Sequence, residues 1–388
     1  MSIFSTHPAL RWAVPGVAVA AVVGGASASG VISAQADTPL APRTAAQLLV
    51  DIQNARLDGL SGTVVQRADL GVPALPGVGG QGSGSGSSSG SSGSGSSDLS
   101  SLVSGTHTLR LWYAGPDRTR VALLGTSGES DVIHNGKDVW LWSSQDKSAT
   151  HLTLPAAHGA AMAPRDGATR LPTSPQQAAD LALEAISPTT AVTTSGAARV
   201  AGRSAYELVL TPKEPTSLVA SVRLAIDSER HVPLRVQVFA KGSTEPAFEV
   251  AFSSVDFSRP DAAQFAFNPP AGTKITERTL PTHPGTEKMG MAHPDPEAAP
   301  STAAGEPKVV GKGWGSVVVA TVPSQSQSGS GDQQSLKAML ELLPRVSGSW
   351  GSGHLLEGKL FSAVLTDDGR VAVGAVTPQT LYAALAAR

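Results

Sequence analysis

The chain has no cysteine among its 388 residues. This absence excludes disulfides, thiolate nucleophiles and cysteine-ligated zinc, and it excludes anchoring through an acylated cysteine. Charged residues are also scarce, at 15% of the chain, and the formal net charge is −2. Nucleic acid binding requires a basic surface that this composition does not supply. No nucleic acid partner is therefore expected.

Aromatic residues make up only 4% of the chain, whereas glycine and proline are abundant at 41 and 28 residues. Both of the latter residues interrupt regular elements and favour turns. The stretch 79–97 is almost entirely glycine and serine, a composition that cannot bury enough apolar surface to order itself. Much of the chain is therefore predicted to be loop or linker.

Residues 1–36 are typical of a targeting segment. Arg11 provides a basic start, residues 14–23 are mostly apolar, and Ala34-Gln35-Ala36 precedes Asp37 as a small-residue cleavage site. The segment is either a cleaved signal peptide or a retained N-terminal anchor. Both alternatives place the body of the protein outside the cytoplasm, in the cell envelope or secreted.

Two helices are predicted in the main part of the chain. Thr44 is an N-cap, and Ala45, Leu48 and Ile52 follow it on one apolar stripe. A second helix is predicted over 174–186, where serine, proline and glutamine form a capping pattern.

Strands dominate the rest. Alternating apolar residues predict strands at 63–67, 108–113, 118–124, 131–134, 139–142, 151–154, 199–211, 218–227, 232–240 and 247–256. The Asn135-Gly136 pair predicts a tight hairpin turn. After a linker at 281–307, residues 308–388 are predicted to hold a strand at 316–322, a helix at 335–343, a hairpin through Asp367-Asp368-Gly369 and a final helix from Thr377.

Five segments between residues 40 and 280, in this order, resemble the LolA-like lipoprotein-carrier family, which includes the amino-terminal domain of RseB/MucB. The matching segments are 45–62, 135–142, 206–213, 226–234 and 265–272. The resemblance implies an α+β fold, an antiparallel half-open β-barrel wrapped around helices, at 40–280. The Gly/Ser-rich stretch would be a loop within it, and 308–388 a separate small α+β domain.

The resemblance also implies a function without catalysis. The first hypothesis is a carrier or chaperone that shields a lipid or the acyl chain of a lipidated protein. The second is an RseB-like envelope-stress regulator that senses lipidated or misfolded proteins and binds an anti-sigma-type membrane partner through 308–388. The third is an envelope structural protein with a closed core and no ligand.

The candidate ligand-binding residues are apolar or aromatic and lie on predicted strands. They are Leu111, Trp112, Tyr113, Trp140, Leu141, Trp142, Val222, Leu224, Ile226, Val236, Val238 and Phe239. Because successive strand residues face opposite sides, Leu111 and Trp112 cannot both point into one cavity. No catalytic residue, cofactor or metal is predicted, since the nucleophile-like and nucleotide-like glycine strings fall in low-complexity sequence rather than on strand-to-helix turns.

Overall fold

The structure is a computed structural model. It describes residues 40–72, 104–125, 128–154, 188–279, 307–321, 340 and 342–387. These residues form two β-sheets, two α-helices and two short 3-10 helices. The predicted helix at 174–186 and most of the one predicted at 335–343 lie outside the described residues, as do the targeting segment and the linker.

Twelve strands form the first sheet. They are β1 (Leu60–Asp69), β2 (Ser104–Tyr113), β3 (Arg118–Leu124), β4 (Glu129–Asn135), β5 (Asp138–Ser143), β6 (Ser148–Thr153), β7 (Thr190–Val200), β8 (Arg203–Pro212), β9 (Val219–Asp227), β10 (Pro233–Ala240), β11 (Pro246–Asp256) and β12 (Lys274–Thr279). The first α-helix, α1 (Ala45–Asn54), precedes them, and a 3-10 helix at Ala262–Phe265 lies between β11 and β12.

The spatial order is β12-β6-β5-β4-β3-β2-β1-β11-β10-β9-β8-β7. All neighbours are antiparallel except β12 and β6, which are parallel. In the described part of the chain the sheet is open, with β12 and β7 as its edges. The predicted antiparallel sheet is confirmed. The predicted hairpin is also present, but Asn135 pairs with Asp138, so the two turn residues are Gly136 and Lys137, with Gly136 at a φ of 66°.

Helix α1 forms where its sequence predicts it. The Thr44 side chain accepts a hydrogen bond from the Gln47 N–H, and the Gln47 side chain accepts one from the Thr44 N–H, which completes a capping box. The fully buried Leu48 packs against Leu208 and Ile226. A ten-residue helix is marginal by itself in water, so this packing holds α1 on the strands β7–β9.

Strand register defines two faces of the first sheet. On β9 and β10, Leu224 lies opposite Val236 and Val222 opposite Val238, and Leu224 packs against the α1 cluster. Directly opposed residues share a face, so register can be followed from strand to strand. We call the side that carries Leu48 the α1 face and the other side the opposite face.

The second sheet has the order β13-β14-β18-β17-β16-β15. Its strands are β13 (Lys308–Val310), β14 (Val317–Thr321), β15 (Arg345–Gly348), β16 (Gly351–Glu357), β17 (Ser362–Thr366) and β18 (Arg370–Gly374), with a 3-10 helix at Gly313–Gly315 and the final helix α2 at Pro378–Ala386. Leu381 of α2 is fully buried against Val317, Val364 and Ala372. The predicted hairpin at Asp367 and the predicted terminal helix are both present.

The second sheet is attached to one end of the first. The Leu218 N–H donates to the Ala375 carbonyl at 2.9 Å, and an isolated bridge joins Ser217 to Val376. Both Ser217 and Val376 are fully buried. The Trp314 indole donates to Thr190 Oγ1 at 2.8 Å. In the described ranges, no helix has the length and apolar content needed to span a membrane.

Candidate functional site: the apolar α1 face

The α1 face carries eight of the twelve candidate residues. The strand register can be followed from β9 and β10 across β11 and β1 to β5. The candidate residues that it places on this face are Leu111, Tyr113, Leu141, Val222, Leu224, Ile226, Val236 and Val238. The structure therefore brings residues from β2, β5, β9 and β10 onto one side of the sheet, although they are far apart in sequence.

Four aliphatic side chains form a row across neighbouring strands at one end of this face. Leu141 opposes Val132, Val132 opposes Val121, and Val121 opposes Leu111. Leu141 is 38% exposed and the other three are half-buried. Val132 and Val121 were not among the predicted residues. The available signal was their place in predicted strands, but Ala122 and Ile133 directly follow them, so the pattern does not say which side of the sheet they face.

The centre of the α1 face is more tightly covered by its own side chains. Val64, Leu109 and Val250 are buried and form a cluster with the half-buried Phe248 and Phe252. The helix α1 covers the far end, where Ile226 is fully buried against Leu48. Ile226 therefore serves as core. The face runs from a covered end at β7–β9 to a more exposed end at β2–β5.

The opposite face carries ion pairs where it backs the covered end. Arg235 Nη2 donates to Glu207 Oε1 at 3.0 Å, and Glu249 pairs with Gln237 and with Arg67. The same face also carries a buried apolar cluster that contains Ala205 and Ala225. Both sides of the sheet are therefore packed at this end.

Three candidate tryptophans lie on the opposite face, at the other half of the sheet. Trp140 and Trp142 contact Phe267, with ring centroids 5.1 and 5.8 Å apart, and the guanidinium of Arg120 lies 5.2 Å from the Trp112 ring centroid. The neighbouring 3-10 helix packs on β3 and β4. Trp140 and Trp142 thus pack against the segment that carries Phe267, and none of the three tryptophans shares a face with Leu111 or Leu141.

The fourth candidate on the opposite face is Phe239. It lies opposite Ser221, and the guanidinium of Arg223 stands 4.7 Å from its ring centroid. Phe239 is thus separated by the sheet from its neighbour in sequence, Val238.

Arg120 and Asp131 form an ion pair on the same face as the tryptophans, where Arg120 opposes Trp112 and Asp131 opposes Trp142. Arg120 Nη2 donates to Asp131 Oδ2 at 2.5 Å, and Asp131 is 3% exposed. Burial raises the pKa of Asp131 to about 7, the nearby Glu129 carboxylate adds to this rise, and the Arg120 guanidinium opposes it. The other carboxyl oxygen of Asp131 is buried without a hydrogen-bond partner, so the charged form is poorly compensated.

His151 joins the edge strand β12 to the sheet. Its Nδ1 lies 2.7 Å from Glu277 Oε2 and its Nε2 lies 2.8 Å from Asp138 Oδ1, while its ring stacks on Trp140 at 4.1 Å. Burial lowers the pKa of His151, but the hydrogen bonds to Asp138 and Glu277 outweigh burial and raise it. A histidine held between two carboxylates on a sheet edge acts as a structural tie.

Two surface grooves formed by described residues contain no candidate residue. One, of about 460 Å³, lies between the start of α1 and β7. The other, of about 610 Å³, is bordered by polar turns that include Asp58, Asp117, Arg118 and Arg259. Among the described residues, no group of three histidine, aspartate or glutamate side chains could hold a metal ion.

Residues 96–276 match the model of a family described as "Predicted periplasmic protein (DUF2092)". A comparison with curated proteins found no match. The description agrees with the extracytoplasmic location predicted from residues 1–36.

Several solved structures are similar to this chain at low identity. The complex structure of Pseudomonas aeruginosa MucA/MucB has 14% identity and a TM-score of 0.42, covering 88% of this chain and 96% of that one. An uncharacterized conserved protein from Thermus thermophilus has 12% identity and a TM-score of 0.33, with 60% and 97% covered. A LolA superfamily protein from Nitrosomonas europaea has 12% identity and a TM-score of 0.21, with 58% and 99% covered. MucB and a LolA superfamily protein are thus among the solved structures to which this chain is similar.

Proposed function

We propose that the protein binds the acyl chain of a lipid or lipidated protein outside the cytoplasm, on the α1 face, and that it does so without catalysis. The observation that carries this proposal is the row Leu141, Val132, Val121 and Leu111. These four side chains line neighbouring strands on one face and keep part of their surface in contact with water.

The energetics favour such a ligand. Each methylene removed from water contributes about 0.8 kcal/mol, so an apolar surface suffices and no charged group is needed. The row crosses three gaps between strands, or about 14 Å at the usual strand spacing. That length accommodates a substantial part of an extended acyl chain.

The test is binding of a fluorescent fatty-acyl probe to the mature protein and to two matched variants. Leu141→Gln places a polar group on the α1 face, and Ile275→Gln makes the same kind of change at a residue that is 46% exposed on the opposite face. Leu141→Gln should weaken probe binding roughly tenfold, as expected when about 1.4 kcal/mol of apolar burial is removed. Ile275→Gln should leave it unchanged.

Native mass spectrometry of the protein purified from its own envelope provides a second readout. A stoichiometric lipid would identify the ligand class. An empty protein that also fails to take up the probe would refute the proposal and favour a structural protein with a self-filled core.

A regulatory role is the second candidate, and one observation favours it. On the side of the second sheet away from α2, Val309 opposes Val318, and Val318 opposes Val373. All three are between 37% and 39% exposed. Adjoining exposed aliphatic residues offer an apolar surface for a protein contact, in accord with a membrane partner bound through 308–388.

The same purification separates the two candidates. A regulator should co-purify with a membrane protein, and Val318→Lys should release that protein while leaving acyl-probe binding intact. A carrier should show the lipid and lose it with Leu141→Gln.

A further inference from the structure

The edge strands of the two sheets differ in how well they are protected against pairing with another chain. Strand β12 carries Lys274, Glu277 and Arg278, while β13 and β15 have only three and four residues. Charges and short length are the usual ways in which proteins block an edge. Strand β7 has eleven residues and no charged side chain before Arg199. It is the least protected edge in the described ranges.

The hydrogen bonding of β7 shows which of its main-chain groups are free to pair. The Lys213 N–H donates to the Thr189 carbonyl at 2.9 Å, and the register of β7 and β8 continues without a shift up to Thr194. In an antiparallel ladder the bonded pairs alternate. The main-chain groups of Thr190, Val192 and Thr194 therefore point away from β8; Thr190 is buried beside Trp314, whereas Val192 is half-buried and Thr194 is exposed.

The free edge has a defined length. A register shift separates Thr194 from Ala197, and Gly196 adopts a φ of 51°, so the flat part of the edge ends at Thr194. Residues 193–197 are exposed. Because Thr190 is buried at the start of the strand, an added strand would pair with about four residues of β7, 191–194.

A groove lies beside this edge on the α1 face. Its volume is about 460 Å³, and its walls are Pro42, Arg43, Thr44 and Ala45 from the start of α1 and Val192, Thr193 and Thr194 from β7. Val192 already packs against the α1 cluster. Because side chains alternate along a strand, every second side chain of a strand added to β7 would point into this groove. The groove has room for small apolar groups.

We propose that β7 is a docking site for an extended segment of a partner protein, which joins the sheet as a further strand and places small apolar side chains in the groove beside α1. Main-chain hydrogen bonds would supply affinity and the groove would supply selectivity. This inference does not depend on acyl-chain binding.

An extended segment fits this edge better than a second copy of the chain. The turn that carries Gly313 and Trp314 borders the start of β7, where a Cβ added to Gly313 would lie 2.6 Å from Thr189 Cγ2. Trp314 is hydrogen-bonded to Thr190. The sheet of a second copy of the chain would have to avoid this turn in order to reach β7. A single extended segment is narrow enough to lie beside the turn.

The test uses the mature full chain and a fluorescein-labelled heptapeptide of alternating valine and threonine, followed by fluorescence anisotropy. Thr194→Pro removes an outward N–H without disturbing the ladder to β8, and Thr194→Ala keeps that N–H as its matched control. Thr194→Pro should bind the peptide at least about fivefold more weakly than Thr194→Ala, the equivalent of about 1 kcal/mol for one hydrogen bond. The same peptide N-methylated at every internal amide should not bind.

Amide exchange followed by NMR gives an independent readout. Without peptide, the amides of Val192 and Thr194 should exchange quickly, and with peptide they should become protected. Equal binding by the two Thr194 variants, or binding of the N-methylated peptide, would overturn the proposal. A dimer in sedimentation that Thr194→Pro abolishes would also overturn it, because the edge would then serve a second copy of the chain.

Discussion

Truncation of Leu48 tests whether packing, rather than helix propensity, holds α1 on the sheet. Leu48 is fully buried against Leu208 and Ile226, whereas its neighbour Leu49 is only half-buried. Leu48→Ala and Leu49→Ala change helix propensity by the same amount. Any difference between the two variants therefore reports burial.

The expected magnitude follows from the burial of each side chain. A fully buried leucine replaced by alanine costs about 3 kcal/mol, within a usual range of roughly 2 to 5. The half-buried Leu49 should cost roughly 1 kcal/mol. With a urea slope of about 3 kcal/mol per molar, Leu48→Ala should lower the unfolding midpoint by about 1 M and Leu49→Ala by about a third of that.

Urea unfolding followed by tryptophan fluorescence measures these midpoints. Trp112, Trp140 and Trp142 lie in this sheet, whereas Trp314 and Trp350 belong to the second one, so the signal reports loss of both sheets, including the one to which α1 is attached. Equal midpoints for the two variants would refute the reasoning. So would a Leu48→Ala variant that keeps the wild-type midpoint, because α1 would then contribute nothing to the stability of the sheet.

Two further predictions concern single polar groups. Thr44→Ala should cost about 1 kcal/mol by removing half of the capping box, while Thr44→Ser should cost little, as urea midpoints will show. Asp131 has a pKa raised to about 7 from 3.8, so between these pH values the unfolded chain releases a proton that the folded chain keeps, and the folded state loses stability as the pH rises. Asp131→Asn should flatten the fall in urea midpoint between pH 4.5 and 7.5, and an unchanged pH dependence would contradict the assignment.

Local sequence signals predicted the elements that form from neighbouring residues. The stripe after Thr44 predicted α1, and the Asn135-Gly136 pair predicted the turn between β4 and β5. The alternation around Leu224 and Val236 predicted that their side chains share a face, and the register agrees. Each of these signals is a spacing of a few residues that the fold preserves.

The elements that sequence reasoning missed depend on distant partners. Strand β12 has an irregular mixture of charged and apolar residues, and it pairs in parallel with β6 at positions such as Glu277 and His151, far apart in the chain. Strand β7 is rich in threonine, serine, alanine and glycine, which carry a weak strand preference and frequent turn signals. Only its pairing with β8 makes it a strand.

The candidate residues are split between the two faces of the sheet for a related reason. Alternation states that Leu111 and Trp112 face opposite sides, but it does not state which side holds α1. That choice is set by register across five further strands, from β2 through β1 and β11 to β10, β9 and β8. The segment with Phe267 then covers Trp140 and Trp142, an arrangement that no local pattern encodes.

The acyl-chain and strand-docking proposals use different parts of one sheet, which makes a lipidated protein distinguishable from a free lipid. Leu141 lies on β5 and Thr194 lies on the far edge strand β7, so substitutions at the two residues should act independently on small ligands. A free lipid would respond to Leu141→Gln alone. A lipidated protein that uses both surfaces would respond to each change. Binding of such a ligand at one surface raises its effective concentration at the other surface. A substitution that weakens binding at either surface would therefore also weaken binding at the other. Non-additive effects in the double variant would therefore identify the ligand as an acyl chain joined to an extended peptide.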